Sequence, residues 1–97
     1  MRNGMRPIHP GEILRHEVIE PLGVSAAGLA RALGVPTNRI TGILNEERAL
    51  TADTALRLAR YLGGEAGFWL NLQSAYDLKM AERQAGKAIG RIKPRAA

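Results

Sequence analysis

The hydrophobic positions along the chain recur at the spacing of helices rather than strands. Ile13, Leu14 and Val18 share one face of a helix that begins near Pro10. Pro21 is expected to end this helix, because helices usually stop before the residue that precedes a proline. No run of β-branched residues alternates with period two, so the pattern predicts an all-α chain.

The next two predicted helices are short and closely connected. Ser25 is a suitable N-cap for a helix over 26–33, since its hydroxyl can accept a hydrogen bond from the free amides of the first turn. Gly34 suits the left-handed position that ends such a helix. The following helix starts at Pro36 or Thr37 and runs to about Asn45, so only a short turn separates the two.

Two more helices complete the pattern. Thr51 is a candidate N-cap, and Asp53 lies in the first turn, where its charge complements the helix dipole. That helix ends at Gly63, and the last one runs from near Glu65 to about Gln84. The periodicity therefore predicts five helices joined by short loops.

The second and third helices have the spacing of a helix-turn-helix. Ala30 is small enough for the two helices to approach, while Ile40 and Ile43 face back toward the second helix. A short, polar or cationic face without any acid is left on the third helix: Thr37, Asn38, Arg39, Thr41, Gly42 and Asn45. A helix laid in the major groove needs such a face, because amides, hydroxyls and arginine read base edges. A plain helical hairpin with a solvated polar face is the alternative.

Length and charge narrow this picture. A chain of 97 residues forms one domain, and its net charge of +5 suggests an anionic partner, with nucleic acid first. The surplus lies at the ends: residues 1–10 carry +2 and residues 86–97 carry +4, whereas residues 11–85 carry −1. We therefore divide the chain into a basic N-terminal segment (1–9), a helix-turn-helix domain (10–85) and a basic C-terminal tail (86–97). The basic residues of the tail either contact phosphate or remain solvated: Lys87, Arg91, Lys93 and Arg95.

Enzymatic and metal sites are not expected. There is no cysteine, and the two histidines, His9 and His16, do not form a His-x-x-x-His pair, so both are interpreted as surface residues. No glycine-rich phosphate loop follows a strand and no Ser-His-acid arrangement is evident, which predicts no catalytic residue and no cofactor. The longest apolar run covers 68–70, far short of a membrane span or signal peptide, so a cytoplasmic protein without a membrane partner is expected.

The helix-turn-helix stretch, from Ser25 to Asn45, resembles the phage-repressor (Xre) superfamily. Further blocks stand in the same order and at the same spacing as in the HigA/VapI-type antitoxins of that superfamily: His-Pro-Gly-Glu-Ile-Leu at 9–14, Glu-Pro-Leu-Gly at 20–23, Leu-Thr-Ala-Asp-Thr-Ala-Leu-Arg-Leu-Ala at 50–59 and Phe-Trp-Leu-Asn-Leu-Gln at 68–73. The similarity covers about residues 7–83.

The resemblance implies a five-helix phage-repressor-like fold and the function of an antitoxin. Such antitoxins act as homodimers, bind double-stranded operator DNA and repress their own operon. They also neutralise a HigB-type toxin, a RelE-like messenger-RNA endoribonuclease. Two alternatives stay open: a protein-interaction module that captures the toxin with little specific DNA binding, and an orphan transcriptional repressor.

The resemblance also implies which residues meet DNA. Thr37, Asn38 and Thr41 match positions that contact bases in the superfamily. Arg39 and Asn45 match positions near base edges or the sugar-phosphate strand.

Further candidates for phosphate contact come from the residues themselves. Ser25 caps the second helix, whose amide end could hold a phosphate. Arg31 and Arg48 are further candidates, whereas Arg57 and Arg60 are interpreted as solvated helix surface.

The chain departs from the family pattern at three places. Many relatives have glutamine where this chain has Ala26, and a long polar residue where it has Gly42. After the third helix, which is the recognition helix of the superfamily, relatives often have Asn-Gly-Lys-Arg. In this chain Glu46 and Glu47 stand in the middle of that motif. The absence of the two long side chains removes familiar contacts, and the acids stand beside an expected phosphate strand.

The last helix is more apolar than a minimal five-helix domain requires. A homodimer contact, or a toxin contact in competition with it, is therefore predicted at four residues of helical spacing: Trp69, Leu72, Tyr76 and Met80. Phe68 and Trp69 differ by about 100° around a helix, and at least one of them is expected in the core.

Overall fold

The computed structural model describes residues 6–96, in which we find five helices and no strand. Helix α1 is built from three consecutive stretches, and the others follow in order: α1 (Pro10–Leu14, Arg15–Ile19 and Glu20–Leu22), α2 (Ala26–Leu33), α3 (Thr37–Leu44), α4 (Ala52–Leu62) and α5 (Ala66–Gly90). The prediction of an all-α, five-helix fold is confirmed. None of the helices within 6–96 is long and apolar enough to cross a membrane.

Helix α1 continues through Pro21, so the prediction that it stops before this proline is wrong. Its middle stretch, Arg15–Ile19, is π-helical, and the Glu20 amide donates to the carbonyl of Arg15, one residue further back than in an α-helix. This wider turn gives room to the Pro21 ring, which in a regular helix clashes with the carbonyl four residues earlier. Gly23, at a left-handed φ of 64°, then ends the helix.

The core lies between α1, α2, α3 and α4, and Trp69 is the one buried hydrophobic residue that α5 contributes to it within 6–96. Ile40 and Ile43 of α3 are fully buried together with Leu29 of α2, as the helix-turn-helix spacing predicts. Trp69 closes the core from the side of α5 with 5% of its surface exposed. Ser25 and Gly34 bound α2 as expected: the Ser25 hydroxyl accepts from the Gly28 amide at 2.9 Å, and Gly34 has a φ of 73°.

The backbones of α1 and α3 touch at Gly11. A Cβ on this residue would overlap the carbonyl oxygen of Ile43, so any side chain larger than hydrogen would push the two helices apart. Gly11 is itself buried. The placement of α3 against α1 therefore depends on glycine at this position.

His9 is buried, with 3% of its surface exposed, which corrects its interpretation as a surface residue. Its Nδ1 accepts a hydrogen bond from the Gly11 amide at 2.9 Å and so caps α1. Its ring meets Tyr76 of α5 edge-on, with 4.8 Å between ring centroids. Burial is the main cause that lowers the pKa of His9, since it disfavours the charged imidazolium. His16, by contrast, is exposed and pairs with Glu20 at 3.1 Å.

Helix α5 is longer than predicted, because it continues past Gln84 to Gly90. Its first half is anchored: the buried Gln73 accepts from the Leu50 amide at 2.8 Å and donates to Asp77 at 2.9 Å. From Ala81 onward every described residue except Ala85 is exposed. The second half of α5 therefore projects from the core, and the molecule measures 52 Å along its longest axis against 26 and 24 Å across.

Replacement of Gly11 by alanine is expected to destabilise the fold. The added Cβ meets the Ile43 carbonyl, and such overpacking typically costs about 1–3 kcal/mol in the free energy of unfolding. Gly67→Ala is the matched control, because Gly67 is also the second residue of a helix but has nothing within 4 Å of its would-be Cβ. Chemical denaturation of both variants measures the effect. Equal midpoints would show that the contact between α1 and α3 does not need glycine at position 11.

The fold is also expected to lose stability as the pH falls from about 7.5 to 5.5, because the imidazole of His9 is protonated more readily in the unfolded chain than in the folded one. The folded state holds His9 neutral with a lowered pKa, so below the ordinary value of 6.5 the unfolded chain binds the proton more readily. His9→Asn keeps a side chain able to cap but cannot titrate. The difference in unfolding free energy between wild type and His9→Asn should shrink with falling pH, by at most about 1.4 kcal/mol per pH unit. If this difference in unfolding free energy stays constant over the pH range, His9 does not have a lowered pKa in the folded state.

Candidate nucleic-acid interface

Helix α3 presents one polar face to solvent. Ile40, Ile43 and Leu44 are buried on its inner side, while Thr37 and Asn38 at its start are exposed. With about 100° per residue, Thr37, Thr41 and Asn45 follow one another along a single line of the helix, and Asn38 lies beside it. We call the surface formed by these four residues the reading face. No acidic residue occurs within Thr37–Leu44, so the reading face is neutral and rich in hydroxyl and amide groups.

The seven residues predicted to meet DNA lie on α3, in the loop after it, or at the start of α2. Five of them are exposed and two are half-buried: Ser25, Thr37, Asn38, Asn45 and Arg48 are exposed, and Arg39 and Thr41 are half-buried. The Thr41 hydroxyl donates to the Thr37 carbonyl at 3.4 Å, which orients it along the helix. No side chain caps the first turn of α3, so its terminal amides point outward without a side-chain partner.

Arg39 leaves the reading face and turns toward α4, where its guanidinium forms an ion pair with Asp53. The same carboxylate oxygen accepts from Nε of Arg57 at 2.9 Å. Arg57 in turn donates to the carbonyl of Leu33 at 2.8 Å, at the end of α2. These bonds connect α3, α4 and the turn after α2. The hydrogen bond from Arg39, followed by that from Arg57, lowers the pKa of Asp53.

Arg57 is exposed, in agreement with its interpretation as solvated helix surface, and it also takes part in this network. The Asp53–Arg57 pair has the i,i+4 spacing of a helical ion pair, which the sequence displays. The partners in α2 and α3 could not be recognised from spacing, because they are separated in the chain and meet only through the packing of three helices. Arg60 is exposed, and no hydrogen bond or ion pair of its side chain is found within 6–96.

Gly42 and Arg48 are spatially coupled. A Cβ on Gly42 would stand 3.3 Å from Cβ and 3.5 Å from Cδ of Arg48, so the arginine stem lies against α3 at this point. Gly42 stands where relatives often have a long polar side chain, and its lack of a side chain leaves room for Arg48 of the following loop. The stem packs while the guanidinium stays exposed, as is common for arginine.

The loop after α3 contains the acids that depart from the family pattern. Glu46 adopts a φ of 62°, at the position where relatives often have glycine. The backbone still closes the turn, since the Glu46 amide donates to Ile43 at 3.0 Å and the Glu47 amide to Gly42 at 2.9 Å. Both side chains are exposed, so the loop keeps its shape but gains negative charge beside Arg48.

The four predicted interface residues of α5 differ in burial. Trp69 belongs to the core, whereas its neighbour Phe68 is 53% exposed and meets it edge-on at 5.1 Å, which confirms that one of the pair is a core residue. Leu72, Tyr76 and Met80 are half-buried, and Tyr76 uses part of its ring against His9.

Within 6–96 no group of three histidine, aspartate or glutamate residues could hold a metal ion.

Comparison with known proteins identifies the family. Residues 16–69 match the family model described as helix-turn-helix. Virulence-associated protein I of Dichelobacter nodosus is 61% identical over 82 residues, which cover 84% of this chain and 76% of that protein. The solved Pseudomonas aeruginosa antitoxin HigA with the higBA promoter is 48% identical with a TM-score of 0.90, covering 94% of this chain and 100% of that one. The antitoxin GraA in complex with its operator is 53% identical with a TM-score of 0.89, covering 100% and 99%. The chain therefore belongs to the Xre-type helix-turn-helix proteins and, among them, to the HigA antitoxins.

Proposed function

We propose that this protein binds operator DNA as a homodimer, represses its own operon and neutralises a HigB-like endoribonuclease. The DNA-binding part of this proposal is supported by the acid-free polar face of α3 and its C-cap, on which Thr37, Asn38 and Asn45 are exposed and Thr41 is half-buried. This face has the chemistry of a base-reading surface, since amides and hydroxyls hydrogen-bond to base edges in the major groove. Two relatives of the same fold, HigA and GraA, have been solved with their promoter or operator.

In the proposed complex, two copies place their α3 helices in successive major grooves about 34 Å apart on an inverted repeat. Thr37, Asn38 and Thr41 contact bases, and Asn45 lies near base edges or the sugar-phosphate strand. Ser25 and Arg48 contact phosphates on either side. Arg39 supports the reading face from its flank, because its pair with Asp53 draws the guanidinium toward α4.

Dimerisation is proposed to use apolar surface that the single chain leaves uncovered. Phe68 and Leu78 of α5 are 53% and 67% exposed, and Leu72 and Met80 are only half-buried. Trp69 contributes indirectly, since it supports Phe68 from within the core. A contiguous apolar patch on the surface of a monomer is the usual mark of a protein contact.

Asn38→Ala is expected to weaken binding to the operator upstream of the protein's own operon by about 10- to 100-fold, the value of one good base contact. Asn71→Ala is the matched control, because Asn71 is also an exposed helical asparagine but lies on α5. Fluorescence anisotropy on the operator and on an unrelated duplex of equal length measures both affinities and the number of chains bound. If wild type prefers the operator no more than the unrelated duplex, the repressor proposal fails.

Toxin neutralisation is proposed on the strength of family membership and makes a separate prediction. The purified product of an adjacent toxin-like reading frame should cleave messenger RNA alone and lose this activity when the antitoxin is added. Asn38→Ala should inhibit as well as wild type, since the reading face is assigned to DNA. Cleavage that continues at full rate in an excess of antitoxin would favour an orphan repressor. Inhibition without operator preference would favour a module that captures only the toxin.

A further inference from the structure

The projecting half of α5 and its C-cap residue carry four basic residues at i,i+4 spacing, which we call the basic stripe: Lys79, Arg83, Lys87 and Arg91. Each step of four residues turns about 40° around the helix and advances about 6 Å along it, so the stripe is a continuous band. Arg83, Lys87 and Arg91 are exposed and Lys79 is half-buried. Within 6–96, none of the four forms an ion pair or a side-chain hydrogen bond.

The opposite side of the same helix is apolar. Its residues recur at helical spacing and are centred about 180° from the basic stripe: Leu78, Ala81, Ala85 and Ile89. Glu82 lies next to Ile89 on this side, so the separation applies to the basic residues, which are all on the stripe. A helix that is merely solvated has no need for this separation.

The helix dipole explains only part of the stripe. Cations in the last turn are favoured by the partial negative charge there, which accounts for Lys87 and Arg91. Lys79 and Arg83 lie earlier in the helix, where the dipole effect has faded.

The stripe continues a face of α5 that lies beside the DNA-facing loop. Tyr76 is within about 20° of Arg83 and Lys87 around the helix axis. Its ring meets that of His9 edge-on, with 4.8 Å between ring centroids. Gln73, on the same side, bonds the Leu50 amide at the end of that loop. The basic stripe therefore extends outward from the side of the molecule where the recognition helix ends.

We propose that the basic stripe binds the phosphates of duplex DNA outside the footprint of the helix-turn-helix. This inference rests on the proposed DNA binding and adds a second, sequence-independent contact to it. Charge complementarity carries it: a duplex presents one negative charge per about 1.7 Å of axis, and the stripe presents four unpaired cations over about 18 Å. The reading face of α3 is neutral, so the charge that binds the backbone must come from other parts of the chain.

The salt dependence of binding tests this proposal. Affinity for DNA falls as salt rises, and the triple variant Arg83→Gln/Lys87→Gln/Arg91→Gln should make this fall less steep. The slope of log affinity against log salt should become less negative by about 0.9 for each phosphate that is no longer neutralised, or by about two to three per chain. The measurement compares wild type and variant by anisotropy between about 50 and 200 mM salt, on operator duplexes with long flanks and on unrelated duplexes of equal length. The ratio of operator to unrelated affinity should stay nearly unchanged, because the stripe contacts no base.

Two controls make the result specific. Arg83→Lys/Arg91→Lys keeps the charges and should keep the wild-type slope, while Arg60→Gln removes an exposed charge from α4 and should change it little. A triple variant with an unchanged slope overturns the proposal. An unchanged slope together with weakened binding to phosphatidylserine vesicles overturns it as well and assigns the stripe to a lipid surface. The unrelated duplex keeps this test valid even if wild type shows no operator preference, which would overturn only the proposed repressor function.

Discussion

The position of the recognition helix depends on the backbone contact between Gly11 and Ile43. With no Cβ in the way, α1 and α3 approach until the chain of one helix touches the carbonyl of the other. The same segment of α1 is capped by His9, whose ring packs on Tyr76 of α5. A shift of α1 would therefore move α3 and disturb α5 at once, because a close-packed interior passes displacement on rather than absorbing it.

A second support holds α3 from the other side. Arg39, Asp53 and Arg57 form a chain of charged hydrogen bonds that ends at the Leu33 carbonyl. Exposed ion pairs contribute little to stability one at a time, but a connected set fixes the relative orientation of the helices that it joins. Two of the arginines near the turn are thus used to orient α3, and the cost is that their charge is partly neutralised by Asp53.

Local rules in the sequence were enough to predict the helix-turn-helix. Ser25 and Gly34 set the ends of α2 by capping and backbone conformation, and the Ile40–Ile43 spacing set the buried side of α3. The features that were missed depend on contacts between distant segments or on weak signals. The burial of His9 requires α5 to stand beside it, and the partner of Arg39 is fourteen residues away on another helix. The extension of α5 crosses Gly86, which by propensity alone opposes a helix.

The departures from the family pattern have a common consequence for charge. Gly42 admits the stem of Arg48, while Glu46 and Glu47 bring two acids next to it, so residues 25–48 carry a net charge of only +1. In the proposed complex, such a surface gains little from phosphate attraction and depends on hydrogen bonds to bases, which weakens binding to random duplex more than binding to the operator. The cations that the helix-turn-helix lacks are found on the projecting half of α5. In the proposed complex, α3 reads bases while the basic stripe of α5 adds phosphate attraction to that of Ser25 and Arg48, so either function can change without the other.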